Sequence, residues 1–188
     1  MKEKRRWWGI LFRPKPQERL IFLDETGANT KMARLCGWGN KSERVRSQVP
    51  HGHWKTITFI AALRCTGVTA PMVLDGPMNR ESFLAYIQQC LMPTLNRKEI
   101  VVMDNLPCHK QPEVIQAIEA VGASVFYLPP YSPDLNPIEK AFSKLKTLLR
   151  KFAERSIENL WKRIGALMET FTPNECRNYF LSCGYRGG

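Results

Sequence analysis

Short runs of hydrophobic residues along the chain predict five β-strands. Residues 20–24 and 100–103 are almost entirely apolar, and an aspartate ends the first run and directly follows the second. Segments 56–63, 70–74 and 124–128 are rich in β-branched, aromatic or aliphatic residues, which favour strands. The first three strands in chain order are interpreted as an antiparallel meander. Residues 100–103 follow a helix and are interpreted as a buried strand.

Helical spacing of apolar residues predicts the segments between and after these strands. Asn79 is a candidate N-cap for a helix that ends near Pro93, and residues 112–120 form a second helical segment. The proline-rich stretch 129–137 is compatible only with a rigid loop. Three more helices are expected, at residues 137–152, 156–171 and 172–183. Together these elements predict an α/β fold, a mixed sheet with helices on its faces.

The first 19 residues are the most basic part of the chain. The 188-residue protein has a formal net charge of +11, and residues 1–19 hold seven basic against two acidic side chains. Such a surplus points to a polyanionic partner, most often nucleic acid. Pro14 and Pro16 are expected to prevent a regular helix there. We therefore divide the chain into a basic arm or linker at residues 1–19 and one domain at residues 20–188. The arm would either be solvated or lie along phosphates.

The cysteine and histidine patterns argue against a zinc site. The six cysteines include no CxxC pair and no two histidines are four residues apart, so the cysteines are expected to be small buried apolar side chains. The apolar run from Trp7 to Phe12 is too short for a signal peptide or a membrane span. These patterns favour a cytoplasmic protein with no membrane partner.

Two aspartates stand where parallel strands would end. Asp24 and Asp104 would emerge at the same edge of the sheet if their strands lie side by side. Because two close carboxylates repel each other, they are tolerable with a cation between them, and oxygen ligands prefer Mg²⁺ or Mn²⁺. Asp75 also ends a strand and is a rival ligand. Glu25 is expected to face away from Asp24, and Asp134 to be a turn residue.

Glu139 is the third candidate acid, and two interpretations of it stay open. With Asn136 before it, Glu139 has the spacing of a capping box at a helix start. Alternatively it is a metal ligand, since Lys146 and Arg150 follow it along the same line of the helix, beside the apolar stripe. In that case the two cations would contact phosphates.

Three motifs together resemble the catalytic core of bacterial insertion-sequence transposases of the mariner-type DDE superfamily. They are Leu23-Asp24-Glu25, Met103 to Lys110 (MDNLPCHK), and Leu128 to Glu139 (LPPYSPDLNPIE), of which the last is the most specific. The acids are separated by 79 and 34 residues, and the shorter spacing resembles that branch. The resemblance implies an RNase H-like fold in which Asp24, Asp104 and Glu139 hold two Mg²⁺ or Mn²⁺ ions.

The same resemblance implies metal-dependent DNA cleavage followed by 3′-OH strand transfer, in transposition and integration. Asn105, His109 and Lys110 would lie near the substrate and position DNA, both element ends and target. A dimer on DNA in the bacterial nucleoid is expected. Such transposases carry helix-turn-helix modules ahead of the core, so this chain is expected to be one half of a frameshifted element or an incomplete copy. The alternatives are a non-catalytic remnant that only binds DNA, and an RNase H-like nuclease.

Overall fold

The computed structural model describes residues 2–46 and 50–186. Residues 1, 47–49, 187 and 188, which the sequence analysis assigned to the basic arm or to the domain at 20–188, lie outside the described residues. The remainder folds around one five-stranded sheet.

The sheet is mixed, as the sequence predicts. Its strands lie in the order β3-β2-β1-β4-β5, with antiparallel pairing between β1 and β2 and between β2 and β3, and parallel pairing of β1 with β4 and of β4 with β5. The strand bounds are β1 Leu20–Asn29, β2 Thr56–Arg64, β3 Gly67–Asp75, β4 Ile100–Met103 and β5 Ser124–Tyr127. The antiparallel meander followed by parallel strands confirms the predicted α/β class.

Strand β1 is longer than its apolar run predicts, and this changes the position of Asp24. The strand continues to Asn29 because its second half pairs with β2, so Asp24 lies opposite Ala61 rather than at the strand end. Strand β4 is short, and its pairing with β1 aligns Leu20 with Ile100. That register brings Asp24 level with Asp104, just beyond the last residue of β4. The two acids therefore share one edge although only Asp104 follows a strand end.

Helices cover both faces of the sheet. The bounds are α1 Lys2–Phe12, α2 Arg80–Tyr86, α3 Pro112–Ala120, α4 Pro137–Phe152, α5 Ile157–Met168 and α6 Pro173–Ser182. Alternate residues of β1 enter two separate cores, one shared with α1, α4, α5 and α6, the other with α2 and α3. Asn79 caps α2 as expected, accepting the Ser82 N–H at 2.8 Å. Each face of the sheet is buried, which is typical of an α/β sandwich.

The N-terminal segment is helical, so the expectation that Pro14 and Pro16 prevent a regular helix there was wrong. Helix α1 ends at Phe12, before Pro14, so the prolines terminate the helix instead of preventing it. Trp8 and Phe12 are buried in the core and stack with ring centroids 3.9 Å apart. The helix buries these two rings on one face while Lys4 and Arg6 remain in solvent, so burial of the apolar face stabilises it. Trp7, next to Trp8, is exposed.

The expectation that the cysteines are buried was met only in part. The β1–β2 connection is a long stretch, residues 30–55, in which Trp38 is fully exposed. Of the six cysteines, all free, only Cys65, Cys176 and Cys183 are buried. No helix in the described part of the chain has the length and apolar character needed to cross a membrane.

Candidate active site

One cleft brings together the three acids that the sequence analysis selected. Asp24 of β1, Asp104 after β4 and Glu139 in the first turn of α4 all line a cavity of about 600 Å³. The proline-rich loop from Leu128 to Pro133 forms much of the remaining wall. The cleft opens at the edge of the sheet where the parallel strands end, the usual ligand position in α/β folds.

Asp24 is the most buried of the three acids. Only 7% of it is exposed, its Oδ1 accepts the Glu25 N–H at 2.8 Å, and its Oδ2 accepts the Asn136 Nδ2–H at 2.8 Å. Burial, followed by the negative charges of Glu139 and Asp104, raises the pKa of the Asp24 carboxyl to about 7 despite that backbone hydrogen bond. Among the described residues, no cationic side chain counteracts this rise in the pKa of Asp24.

Asp104 has the opposite electrostatic environment. Its Oδ1 accepts the Leu106 N–H at 2.9 Å and lies 2.6 Å from Nδ1 of His109. Burial alone would raise the pKa of the Asp104 carboxyl, but His109, the Leu106 N–H and Lys110 hold it below its usual value. Asp104 is therefore ionised at neutral pH.

His109 is fully buried between two carboxylates. Its Nε2 lies 3.0 Å from Oε2 of Glu25, and its Nδ1 contacts Asp104 at ion-pair distance without the alignment of a directed hydrogen bond. Burial alone would lower the pKa of the imidazole, but the two carboxylates raise it to about 9. The expectation that His109 contacts DNA is therefore wrong for this conformation, since the ring has no exposed surface.

Glu139 is exposed at the start of α4, and the predicted capping box does not form. Asn136 has the backbone position of the N-cap, but its side chain makes no capping hydrogen bond. Its Nδ2 donates to Asp24 instead, and its Oδ1 is buried and finds no hydrogen-bond partner within the described part of the chain. Because the capping box does not form, the Glu139 carboxylate can act in the cleft.

The loop that delivers Asn136 and Glu139 is fixed by the two ends of the chain. Arg5 of α1 donates to Ser132 Oγ at 2.8 Å and to both carboxylate oxygens of Asp134. The Trp8 Nε1–H donates to the Tyr185 hydroxyl at 2.8 Å, and that hydroxyl donates to the Leu135 carbonyl at 2.7 Å. Asp134 lies in a short 3-10 helix, Pro133–Leu135, rather than in a simple turn, and is also an ion-pair partner of α1.

The remaining predicted DNA contacts lie in two places. Asn105 lines the cleft and its Nδ2 donates to the Leu128 carbonyl, while Lys110 is exposed beside it on the same loop. Lys146 and Arg150 are half-buried on α4, two and three turns beyond Glu139, and are not among the cleft-lining residues. The structure brings Asn105 to the acids and leaves the two α4 cations along the adjoining helix.

Sequence reasoning missed three features of this site. Glu25 does point to the sheet face opposite Asp24, as alternation requires, but there it meets His109 and also lines the cleft. Asn136 supports Asp24, and its position before Pro137 suggested only a cap. Tyr131 is 90% exposed on the cleft wall with a positive φ of 54°, a conformation that is uncommon for an aromatic residue.

Asp75, the rival acid, is excluded from the cleft lining. It is exposed at the end of β3, an edge strand separated from β1 by β2. Within residues 2–46 and 50–186, a tight group of three metal-ligand atoms, all within 4.8 Å, is formed by Glu25, Cys108 and His109. Burial raises the pKa of the Cys108 thiol, which disfavours the thiolate that a metal would need.

The cleft residues fit a hard divalent cation. Asp24, Asp104 and Glu139 offer carboxylate oxygens, and Asn136, which donates to Asp24, lines the same cleft. An all-oxygen donor set selects Mg²⁺ or Mn²⁺ over softer metals. A bound cation would also supply the positive charge that the Asp24 carboxylate lacks.

A family model described as a DDE superfamily endonuclease matches residues 19–162. No curated protein matches the chain.

Solved structures of Mos1 transposase share the fold. A Mos1 mariner paired-end complex with Mn superposes with a TM-score of 0.77 at 17% identity, covering 97% of this chain and 58% of that one. A Mos1 strand transfer complex superposes with a TM-score of 0.72 at 18% identity, covering 89% of this chain and 52% of that one. The Mos1 catalytic domain superposes with a TM-score of 0.64 at 16% identity, covering 97% of this chain and 83% of that one. This chain thus spans little more than half of the Mos1 chains in the DNA complexes, and the match to the catalytic domain supports the RNase H-like classification.

Proposed function

Because the chain belongs to the DDE superfamily of endonucleases, we propose that it is the catalytic domain of a mariner-type transposase from a bacterial insertion sequence. It would cleave DNA strands and join the freed 3′-OH to a target strand. The observation that carries this proposal is the convergence of Asp24, Asp104 and Glu139, from three separate elements, on one cleft.

The proposed reaction needs the three acids to work as one ligand set. Bound divalent ions would activate the attacking oxygen and stabilise the leaving 3′-oxygen of a phosphodiester. The protein's part is to hold the ligands: Asp24 in the middle of a paired strand, Asp104 against His109, and Glu139 in the first turn of α4. Preorganised ligands lower the cost of assembling a two-metal site at the moment of reaction.

We propose two ions rather than one. In the described part of the chain, the three acids line one cleft but do not form a group whose ligand atoms all lie within 4.8 Å of one another. This spread suits a pair of ions about 3.5–4 Å apart better than one ion bound by all three acids. The Mn in one Mos1 complex supports a divalent requirement.

The proposed DNA path runs from the cleft along α4. Asn105 lines the cleft and Lys110 is exposed on the loop after Asp104, while Lys146 and Arg150 follow Glu139 along α4, so phosphates leaving the cleft would meet positive charge. Tyr131 adds an exposed ring at the cleft wall, which suits stacking on a base. The partners would be element ends and target DNA, a second copy of the chain on DNA, and a helix-turn-helix part that recognises the ends.

The test is nicking of element-end DNA by the purified chain with Mg²⁺ or Mn²⁺. Asp104→Asn should abolish nicking, because it removes a ligand charge while keeping the side-chain size. Asp75→Asn is the matched control, since Asp75 is an exposed strand-end aspartate outside the cleft lining. Equal nicking by wild type and Asp104→Asn would contradict the proposal.

Two alternatives give different results in the same assay. A remnant that only binds DNA would bind in a salt-sensitive manner, unchanged by chelator, and would show no cleavage with either metal. An RNase H-like nuclease would prefer an RNA–DNA hybrid in direct competition with duplex DNA. The family match and the intact set of acids favour the transposase over both.

A further inference from the structure

We propose that His109 is a positioning residue that clamps the metal-ligand carboxylate of Asp104 through a buried Glu25–His109–Asp104 bridge. The inference rests on the proposed function for the identity of the ligand, and on the bridge geometry for the clamp. No contact of His109 with DNA or with the reacting atoms is involved.

The bridge links β1, which contains Asp24, to Asp104 in the loop that follows β4. Glu25 directly follows Asp24 in β1, and its Oε2 lies 3.0 Å from Nε2 of His109. On the other side of the ring, Nδ1 lies 2.6 Å from Oδ1 of Asp104. A shift of Asp104 relative to β1 would therefore have to break one of these contacts.

The ring itself has little freedom to move. It is fully buried, and its centroid lies 4.4 Å from that of Phe83 at a 32° tilt. The backbone of His109 is held as well, since its carbonyl accepts the Tyr127 hydroxyl at 3.0 Å and its N–H donates to the Leu106 carbonyl at 3.0 Å. A rigid ring between two carboxylates fixes the distance between them.

The clamp leaves Asp104 able to bind metal. His109 and the Leu106 N–H both contact Oδ1, and Asp104 remains partly exposed to the cleft. Oδ2 has no protein hydrogen bond among the described residues and is the oxygen available to a cation. Outer contacts of this kind orient a ligand, and their loss typically costs about 10–100-fold in metal affinity or activity.

The experiment is a titration of the DNA-free protein with Mn²⁺, following free Mn²⁺ by electron paramagnetic resonance. His109→Phe keeps the ring against Phe83 and removes both polar contacts, so Mn²⁺ affinity should fall about 10–100-fold. His109→Asn keeps a donor near the Nδ1 position and should restore part of that loss. Glu25→Gln keeps an acceptor for Nε2–H and should have a smaller effect than Glu25→Ala.

The matched control is His53→Phe, the same change at an exposed histidine in the β1–β2 connection, which should leave the Mn²⁺ affinity unchanged. A merely structural role would lower the thermal midpoint of His109→Phe without moving the Mn²⁺ affinity of the folded fraction. If His109→Phe does not fold, the comparison of Glu25→Ala with Glu25→Gln tests the same bridge.

The outcomes separate this proposal from the proposed function. Wild type that binds Mn²⁺ without nicking DNA would contradict the function, while weaker binding by His109→Phe would still support the clamp. Unchanged Mn²⁺ affinity in His109→Phe and Glu25→Ala would overturn the clamp even in a chain that nicks DNA. Absence of Mn²⁺ binding by wild type would overturn both.

Discussion

Asn136 donates its Nδ2–H to Oδ2 of Asp24 at 2.8 Å, joining the end of the proline-rich loop to the middle of the first strand. The other polar atom of the same amide, Oδ1, is buried and has no hydrogen-bond partner among the described residues. A buried polar atom without a partner is costly, typically about 1–3 kcal/mol, and is most often satisfied by a water or an ion. The hydrogen bond between Asn136 and Asp24 therefore ties the two halves of the site together.

Asn136→Ala should weaken Mn²⁺ binding about 10–100-fold, because Asp24 loses its orienting donor. Calorimetric titration of the DNA-free protein with Mn²⁺ measures this effect. Asn40→Ala is the control, since Asn40 pairs with Glu43 on the exposed β1–β2 connection. Identical Mn²⁺ affinities for wild type and Asn136→Ala would show that the amide has no role in the metal site.

The pH dependence of stability should change when metal is added. The folded pKa of His109 is raised to about 9, so without metal its stabilising contribution is complete below its unfolded pKa of 6.5 and is lost as the pH rises towards 9. The folded pKa of Asp24 is raised from 3.8 to about 7. Without metal, the stability that this carboxyl contributes is therefore complete below pH 3.8 and is lost as the pH rises to about 7.

Both groups thus predict a thermal midpoint that falls with rising pH when metal is absent. The increase in midpoint on adding Mn²⁺ should grow as the pH rises through about 7, where Asp24 ionises. Thermal melts from pH 5 to pH 9, with Mn²⁺ and with chelator, measure both effects. A Mn²⁺-induced increase that is independent of pH over this range would contradict the assignment of Asp24 as a ligand.

The two neighbouring tryptophans of α1 should differ sharply in their contributions to stability. Trp8 is 6% exposed, stacks on Phe12 and donates to Tyr185, so Trp8→Ala should lower the free energy of unfolding by about 3–5 kcal/mol. Trp7 is 58% exposed, and Trp7→Ala should change that free energy by about 0.5 kcal/mol or less. Urea unfolding of both variants makes the comparison. Equal losses would mean that α1 is not docked through Trp8.

The cations on α4 should contribute to DNA affinity through phosphate contacts. Lys146→Ala and Arg150→Ala should each reduce the slope of log K against log salt concentration by about 0.9, the value for one phosphate on duplex DNA. Fluorescence anisotropy of a labelled duplex at several salt concentrations measures the slope.

Lys144→Ala is the matched control on the same helix, because Lys144 is engaged by Glu175 at 2.5 Å and by the Thr170 carbonyl at 2.8 Å. Its removal should leave the slope unchanged. A slope that falls equally for Lys144→Ala and Lys146→Ala would mean that α4 contributes only general positive charge.

The amino-acid sequence by itself predicted the five strands, the helices that follow β3 and the three candidate acids, but not helix α1. Hydrophobic runs are local, so they locate β4 and α4 without knowledge of their neighbours. The motif from Leu128 to Glu139 is specific enough to indicate a transposase-like site from its residues alone. The mixed character of the sheet also followed from the order of the elements.

The tertiary structure alone decided which side chains meet. Pro14 predicted an irregular arm, but local propensity cannot include the burial of Trp8 and Phe12 against residues far along the chain. Local spacing predicted that Asn136 caps α4, whereas a carboxylate from β1 competes successfully for its amide. His109 was expected at the DNA surface, and only the packing of α2, β1 and the loop after β4 shows it buried between Glu25 and Asp104. These contacts join residues that are distant in sequence, so hydrophobic periodicity and motif spacing cannot predict them.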